Sequence, residues 1–234
     1  MNREKLELIR RTRSMFGHIT PFIPDFDAFT ARGGDGFAAV QDTAAIIAST
    51  EKLIPPRYQK ADATDERVLG WVDKVVSQAK PSRLSHVPYL RSGPSLLLLG
   101  PTGVGKTHQA YGALRRLSII GIGCAPVAAS ITDVFAKMRP RPGIDSEAIF
   151  RSYANAPLAF IDDLGAAKAT EWNEEVTYRL VNFRYEHRLS TIFTSNAPPK
   201  VLANRVGERV ASRLTEMARR VPIKGVDRRL GGIT

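Results

Sequence analysis

Short apolar runs alternate with amphipathic stretches through the second half of the chain. Continuous runs typical of buried strands occur at residues 96–99, 158–161 and 191–194, and weaker ones at 124–128 and 220–224. Between them, apolar residues recur at intervals of three and four, which predicts helices at 106–118, 132–138, 149–153, 173–188 and 201–218, the last as one helix or a pair. Strands that alternate with helices form parallel βαβ units. The pattern therefore predicts an α/β fold, a three-layer sandwich around a parallel sheet.

The first part of the chain follows a different pattern. An Ala-rich helix is expected at 37–49, and Pro55-Pro56 ends any helix before it. Thr64 or Asp65 can cap a further helix that runs to about residue 79. Its apolar residues recur at three and four and form one buried stripe: Val68, Trp71, Val72, Val75 and Val76. We therefore predict a mainly helical N-terminal extension at 1–53, followed by the α/β domain at 54–234.

Composition excludes several classes of protein. No apolar run approaches the roughly 18 residues of a membrane span, and the N-terminus lacks the apolar region of a signal peptide. The single cysteine, Cys124, excludes an internal disulfide and a multi-cysteine zinc site. We therefore expect a cytoplasmic protein without membrane association.

The net charge points to a polyanionic partner. Lys and Arg number 34 against 23 Asp and Glu, which gives a formal charge of +11. A basic excess of this size favours nucleic acid binding by phosphate neutralisation and counterion release. The alternative is a soluble surface that happens to be basic. Charge alone does not separate DNA from RNA, or either from an acidic protein.

A phosphate-binding motif follows the first predicted strand. Residues 100–107 fit G-x-x-x-x-G-K-[ST] without a mismatch, between a strand and a helix, as the motif requires. Its residues, with the next one along, are the predicted ATP-binding set: Gly100, Pro101, Thr102, Gly103, Val104, Gly105, Lys106, Thr107 and His108. Backbone N–H groups at the helix N-terminus face the phosphates. Lys106 is expected to reach the β- and γ-phosphates, and the Thr107 hydroxyl to bind Mg²⁺.

Polar residues end two further predicted strands. Asp162 and Asp163 close the run at 158–161, so Asp162 is expected to hold Mg²⁺ and Asp163 to polarise the attacking water. A glutamate is common at the second position in AAA+ proteins, and the shorter aspartate predicts slow hydrolysis. After the run at 191–194, Asn196 is the expected sensor that positions the water, with Ser195 or Thr194 as alternatives.

Several segments resemble one family. The segment Gly207-Glu208-Arg209-Val210-Ala211-Ser212-Arg213 resembles the G-E-R-x-x-S-R motif of DnaC-type helicase loaders and IstB transposition ATPases. The lead-in Ile54-Pro55-Pro56-Arg57-Tyr58 and the form Asp162-Asp163-Leu164-Gly165 resemble the same proteins. Together the matches run from 54 to 229. The resemblance implies an AAA+ core that lacks a C-terminal helical lid.

The resemblance also implies roles for arginines near the C-terminus. In AAA+ assemblies an arginine of this region reaches the γ-phosphate in the neighbouring subunit, and Arg213 is the first candidate, with Arg209 second. The alternative is an ordinary helix salt bridge to Glu208 or Glu216. Arg228 or Arg229, in a segment similar to the family's terminal motif, is expected to contact nucleotide, and the alternative is that both are solvated.

A basic segment at 135–143 follows the second predicted strand. In initiator and loader ATPases, elements at this place line a central pore and contact single-stranded DNA. Lys137, Arg139 and Arg141 are expected to contact phosphates, while Phe135 stacks on a base. The alternative is a solvated basic loop, with Phe135 in the core.

The resemblance implies a helicase loader. ATP-bound subunits would associate through Arg213, bind single-stranded DNA and deliver a DnaB-type replicative helicase, with the N-terminal extension as the helicase-binding part. The second hypothesis is an IstB-like regulator that binds duplex DNA and recruits a transposase. The third is an ATP-binding scaffold with negligible hydrolysis.

Overall fold

The computed structural model describes residues 36–82 and 85–225. Helix α1 spans Gly36–Leu53, a 3₁₀ turn spans Pro56–Tyr58, and helix α2 spans Glu66–Gln78. The Asp65 carboxylate caps α2 by accepting a hydrogen bond from the backbone N–H of Arg67 at 2.9 Å. Residues 1–35 of the predicted N-terminal extension, and Arg228 and Arg229, lie outside the described ranges.

Five parallel strands form a single sheet in the described residues. They are β1 (Ser95–Leu99), β2 (Val127–Ser130), β3 (Leu158–Asp162), β4 (Ser190–Ser195) and β5 (Ala218–Pro222). Their spatial order is β2-β3-β4-β1-β5. The central strands β1 and β4 are buried along their full length, as expected for a parallel sheet covered on both faces. This architecture confirms the predicted α/β fold with a parallel sheet.

Helices cover both faces of the sheet. They are α3 (Lys106–Ile119), α4 (Ile131–Met138), α5 (Ser146–Ala154), α6 (Glu171–Glu186), α7 (Pro199–Val206) and α8 (Glu208–Met217). One apolar cluster joins α2 and α3 to the sheet face that carries Leu96 and Leu98. A second joins α4–α8 to the opposite face, which carries Leu97 and Leu99. Successive leucines of β1 therefore point to opposite faces of the sheet, and each face is covered by a layer of helices.

Some element boundaries differ from the sequence-based predictions. Strand β2 spans Val127–Ser130, where 124–128 was predicted, and β5 spans Ala218–Pro222, where 220–224 was predicted. Ser130, and not Thr132, caps α4, because the Ser130 hydroxyl accepts a hydrogen bond from Asp133 N at 3.0 Å. The helical pattern at 201–218 is a pair, α7 and α8, separated by Gly207.

Helix α1 packs against α3. The side chain of Arg115 is buried and donates to both carboxylate oxygens of Glu51, from Nε at 2.6 Å and from Nη2 at 2.9 Å. Arg115 Nη1 also donates to the carbonyl of Ala61 at 2.6 Å. This arginine therefore connects α1, α3 and the segment between α1 and α2.

None of the helices within 36–82 and 85–225 combines the length and the apolar composition needed to cross a membrane.

Candidate nucleotide-binding site

A cavity of about 300 Å³ opens at the carboxyl ends of β1, β3 and β4. This edge of a parallel sheet is where ligands bind in open α/β folds. The cavity is lined by Arg57, Tyr58, Thr102, Gly103, Gly105, Lys106, Thr107, His108, Asp162, Asp163 and Asn196. The structure therefore brings most of the predicted ATP-binding residues together with both predicted aspartates and the predicted sensor.

The loop between β1 and α3 surrounds the ammonium group of Lys106. Gly103 and Gly105 have positive φ angles of 84° and 99°, which glycine adopts without the strain of a side chain. Lys106 Nζ donates to the carbonyls of Gly100 at 2.8 Å and Pro101 at 2.7 Å. It also donates to Asn196 Oδ1 at 2.5 Å. The lysine is thus held at the N-terminus of α3, where backbone N–H groups attract anions.

Asp162 lies beside the hydroxyl of Thr107. Thr107 Oγ1 lies 3.2 Å from each carboxylate oxygen of Asp162. The hydroxyl of Thr194, on the neighbouring strand β4, also donates to Asp162 Oδ1. Burial raises the pKa of Asp162, and the hydrogen bonds from the two threonines partly oppose that rise.

Asn196 connects Lys106 to Asp163. Its Nδ2 donates to Asp163 Oδ1 at 2.8 Å, while its Oδ1 accepts from Lys106. Only this orientation of the amide satisfies both neighbours, because an ammonium group only donates and a carboxylate only accepts. Asp163 has a φ of 55°, and its backbone N–H donates to Thr194 Oγ1 at 2.9 Å. One polar network therefore joins the predicted base, sensor and lysine.

The residues of the site fit both ATP and Mg²⁺. Phosphates are expected at the N-terminus of α3, beside Lys106. A hydroxyl and a carboxylate are the oxygen ligands that Mg²⁺ prefers, and Thr107 and Asp162 already lie within 3.2 Å of one another.

Arg57 and Tyr58 also line the cavity, although sequence reasoning gave them no role. The Tyr58 ring stacks on Tyr111 of α3, with 5.1 Å between ring centroids. Gln109 of α3 holds the segment that follows, because its Oε1 accepts from the backbone N–H groups of Thr64 at 2.9 Å and Asp65 at 3.1 Å. The signal for this part of the site is the lead-in Pro55-Pro56-Arg57-Tyr58.

Arg209 and Arg213, the candidates to reach the γ-phosphate in a neighbouring subunit, do not line the cavity. Arg213 Nε donates to Asn182 Oδ1 at 2.5 Å, and Arg209 lies over the ring of Tyr178 at 5.8 Å. The alternative, a salt bridge from either arginine to Glu208 or Glu216, is not found among the ion pairs of the described residues. These arginines therefore belong to a different surface of the molecule.

The basic segment divides into exposed and buried parts. Lys137, Arg139 and Arg141 are exposed, and Lys137 Nζ donates to the Tyr153 hydroxyl at 3.1 Å. Phe135 is only 6% exposed and packs edge-on against Trp172, with 5.7 Å between ring centroids. This burial argues against base stacking by Phe135 and favours its alternative place in the core.

Comparison with solved structures identifies similar folds. A crystal structure of the DnaC helicase loader is 26% identical to this chain, with a TM-score of 0.60, and covers 73% of this chain and 100% of that one. A crystal structure of DnaI is 20% identical, with a TM-score of 0.61, and covers 76% of this chain and 98% of that one. The chain therefore shares the P-loop NTPase fold of these proteins.

Curated relatives match a shorter segment. The protein XkdC of the phage-like element PBSX in Bacillus subtilis is 31% identical over 134 residues, which is 53% of this chain and 47% of that protein. A putative insertion sequence ATP-binding protein of Sinorhizobium fredii, y4iQ/y4nD/y4sD, is 31% identical over 111 residues, 47% of this chain and 36% of that protein. The matched segment thus spans less than half the length of these relatives.

A family model extends the match over most of the α/β domain. The model for IstB-like ATP-binding proteins matches residues 72–231. That range contains the loop at Gly100–Thr107, the aspartate pair, Asn196 and both candidate arginines. The chain belongs to the family of IstB-like ATP-binding proteins.

Proposed function

We propose that the chain hydrolyses ATP in this cavity. The observation that carries the proposal is the position of Asn196, which hydrogen-bonds Asp163 and Lys106 at the same time. In the proposed reaction, Asp163 and Asn196 together hold the attacking water molecule. Its oxygen attacks the γ-phosphorus, the bond to the β–γ bridging oxygen breaks, and ADP and phosphate form.

The residues divide this work by their chemistry. Asp163 accepts the hydrogen bond of the water and takes its proton, and Asn196 orients the water. Lys106 offsets negative charge on the phosphate oxygens as it grows. Thr107 and Asp162 would hold Mg²⁺, which would supply further positive charge beside the phosphates.

Two substitutions test this assignment. Asp163→Asn is expected to lower the hydrolysis rate at least about 100-fold while nucleotide affinity stays within about threefold, because only the base is lost. Lys106→Ala is expected to lose binding of a fluorescent ATP analogue. Asp73→Asn, an exposed carboxylate on α2, is the matched control. Hydrolysis by Asp163→Asn at the original rate would contradict the assignment.

The nucleotide cycle is proposed to control a DnaB-type replicative helicase on single-stranded DNA. Two facts support a loader: the chain matches the full length of the DnaC helicase loader structure, and its charge is +11. ATP-bound copies associate through Arg213, which completes the site of the neighbouring copy. Lys137, Arg139 and Arg141 contact the phosphates of the DNA.

A second candidate function is regulation of transposition on duplex DNA. The family match and the Sinorhizobium fredii relative, described as an insertion sequence ATP-binding protein, favour it. In this case the ATP-bound chain coats duplex DNA and recruits a transposase.

The ATPase rate distinguishes the two functions when single-stranded DNA, duplex DNA and a ring helicase are added in turn. Stimulation by single strands, with an ATP-dependent complex with the helicase, supports the loader. Preference for duplex and no response to the helicase would replace it with the transposition regulator.

A further inference from the structure

Three uncharged side chains of α6 lie on the face of the helix that contacts α8. Tyr178, Asn182 and Tyr185 are spaced by four and three residues, which places them along one face of the helix. That face contacts α8, the helix that carries Arg209 and Arg213. We call these three residues the α6 platform.

The α6 platform holds the guanidinium group of Arg213 from several directions. Arg213 Nε donates to Asn182 Oδ1 at 2.5 Å, and Nη2 donates to the Tyr178 hydroxyl at 3.4 Å. Arg213 Cζ lies 5.1 Å from the centroid of Tyr178 and 5.7 Å from that of Tyr185. Both distances are within the range of cation–π attraction. Nη1 donates to the carbonyl of Arg209 at 3.0 Å, so the orientation is fixed from α8 as well.

These contacts leave the charge of Arg213 unneutralised. Other arginines at the surface of the described chain, such as Arg67, Arg116 and Arg179, donate to carboxylates. The partners of Arg213 are an amide, two aromatic rings and a carbonyl, none of which carries a negative charge. Of the five N–H groups of a guanidinium, three donate to these described partners, so one on each terminal nitrogen remains for an anion.

The platform is itself fixed to α8. Glu216 accepts a hydrogen bond from the Tyr185 hydroxyl, and this bond raises the pKa of Tyr185. Glu216 lies three residues beyond Arg213 on α8, and no ion pair between the two is found among the described residues. The carboxylate therefore orients the ring without pairing with the arginine.

We infer that Tyr178 and Asn182 are positioning residues: they orient Arg213 so that its two remaining N–H groups reach the nucleotide phosphate bound in a neighbouring copy. The inference rests on the proposed ATPase function. It adds the requirement that the α6 platform present no carboxylate to Arg213, because a carboxylate at position 182 would compete with the phosphate for the arginine.

A mixing experiment tests the inference. The donor copy carries Lys106→Ala, which removes its own nucleotide but keeps Arg213. The acceptor copy carries Arg213→Ala, which keeps its own nucleotide site. Each variant alone is expected to be inactive, and the mixture is expected to recover ATPase activity because the donor's arginine enters the acceptor's site.

Further substitutions are then made in the donor alone. Asn182→Ala or Tyr178→Leu is expected to lower the mixed activity at saturating ATP by about 10- to 100-fold, because a finger displaced by about 1 Å is poorly placed. The acceptor's affinity for ATP is expected to stay unchanged. Tyr178→Phe keeps the ring and is expected to retain most of the activity. Arg179→Ala, on the same helix but paired with Glu147, is the control and is expected to leave the mixed activity unchanged.

Asn182→Asp separates positioning from a purely structural role. The new carboxylate pairs with Arg213 but loses the bond that Asn182 Nδ2 donates to Glu186 Oε1 at 2.9 Å, so the melting temperature is expected to change little. The mixed activity is nevertheless expected to fall at least about tenfold, because the carboxylate competes with the phosphate for the arginine. Retained activity in Asn182→Asp and Asn182→Ala donors would overturn the inference. Failure of the original mixture to recover activity would instead reject the proposed function of Arg213 between copies.

Discussion

At the scale of single residues, position 112 requires glycine because the backbone of α3 lies very close to the backbone of the segment before α2. It lies in the middle of α3, where a Cβ would come within 2.2 Å of the backbone of Asp62 and of Ala63. Gln109, one turn earlier, holds the same segment through Thr64 and Asp65. The same segment follows directly on the Pro56–Tyr58 turn, to which Ala61 is joined by a backbone hydrogen bond to Tyr58. Two residues of that turn, Arg57 and Tyr58, line the cavity.

Gly112→Ala is therefore expected to destabilise the protein by at least about 2 kcal/mol, because a backbone segment has to move. It is also expected to weaken nucleotide binding, since Arg57 and Tyr58 shift with that segment. Gly70→Ala in α2 is the matched control. There a Cβ meets only the far end of the Arg219 side chain at 3.4 Å, so stability is expected to rise by about 0.5–1 kcal/mol. Urea unfolding of both variants measures the difference, and equal effects would contradict this explanation.

At the scale of elements, strand β4 aligns the two aspartates. It lies between β1 and β3, so Thr194 reaches the Asp162 carboxylate and the Asp163 N–H together. The motif residues themselves could be predicted from the sequence, because each follows directly on a short apolar run. The double contact of Thr194 could not, because it depends on the register in which β3 and β4 pair.

The same reason explains the other differences from prediction. Helix and strand types follow from local periodicity, but the ends of the edge strands β2 and β5 shifted by two or more residues. Residues of β2 are only half-buried, so their apolar pattern is weak. The α6 platform and the contact of Arg57 and Tyr58 with the cavity arise from packing between distant segments. The resemblance to a family identified Arg213 but not the residues that hold it.

Thr194→Val is expected to lower ATP hydrolysis by about 10- to 100-fold and to lower the free energy of unfolding by about 1–3 kcal/mol. The valine keeps the shape of the strand but leaves Asp162 and the Asp163 N–H without their shared partner. Thr177→Val, which removes a hydroxyl bonded only within α6, is the control. A steady-state ATPase assay over Mg²⁺ concentration measures the effect. Unaltered activity in Thr194→Val would show that the backbone alone positions the aspartates.

At the scale of the whole molecule, direct contacts of the basic segment at 135–143 with DNA phosphates are expected to add to the attraction that comes from the overall positive charge. Replacing Lys137, Arg139 and Arg141 by alanine is expected to reduce the slope of log K against log salt for single-stranded DNA by about 2, if all three contact phosphates. Alanine at Lys52, Lys60 and Lys74, which are exposed elsewhere, makes the same change in net charge. Equal reductions in both triple variants would indicate diffuse attraction by a charge of +11.

Cys124 gives a reporter of global unfolding. It is the single cysteine of the chain, only 1% exposed, and burial raises the pKa of its thiol to about 12. Because the thiolate is the reactive form, a thiol reagent at pH 8 is expected to label the folded protein at least about 10³-fold more slowly than the unfolded chain. Fast labelling would show that this part of the core opens locally.

The sign of the pH effect follows from the same shift. The unfolded thiol ionises near its ordinary pKa of 9.0, and the folded thiol only near 12. Between these values the folded state binds more protons, so the free energy of unfolding falls by up to about 1.4 kcal/mol per pH unit. In Cys124→Ala, the free energy of unfolding is expected to fall less steeply with pH over this range, which chemical denaturation at several pH values measures.

The sheet order also sets the sequence of events during synthesis. Strand β1 carries four consecutive leucines, but its two neighbours, β4 and β5, are synthesised about 95 and 120 residues later. At roughly 5–20 residues per second, β1 waits on the order of ten seconds for its second neighbour. The nascent chain therefore displays its most apolar strand, and the phosphate loop attached to it, well before either can fold. Because the first strand of the chain pairs with the last two, we expect the nascent chain to bind chaperones through β1 during this interval.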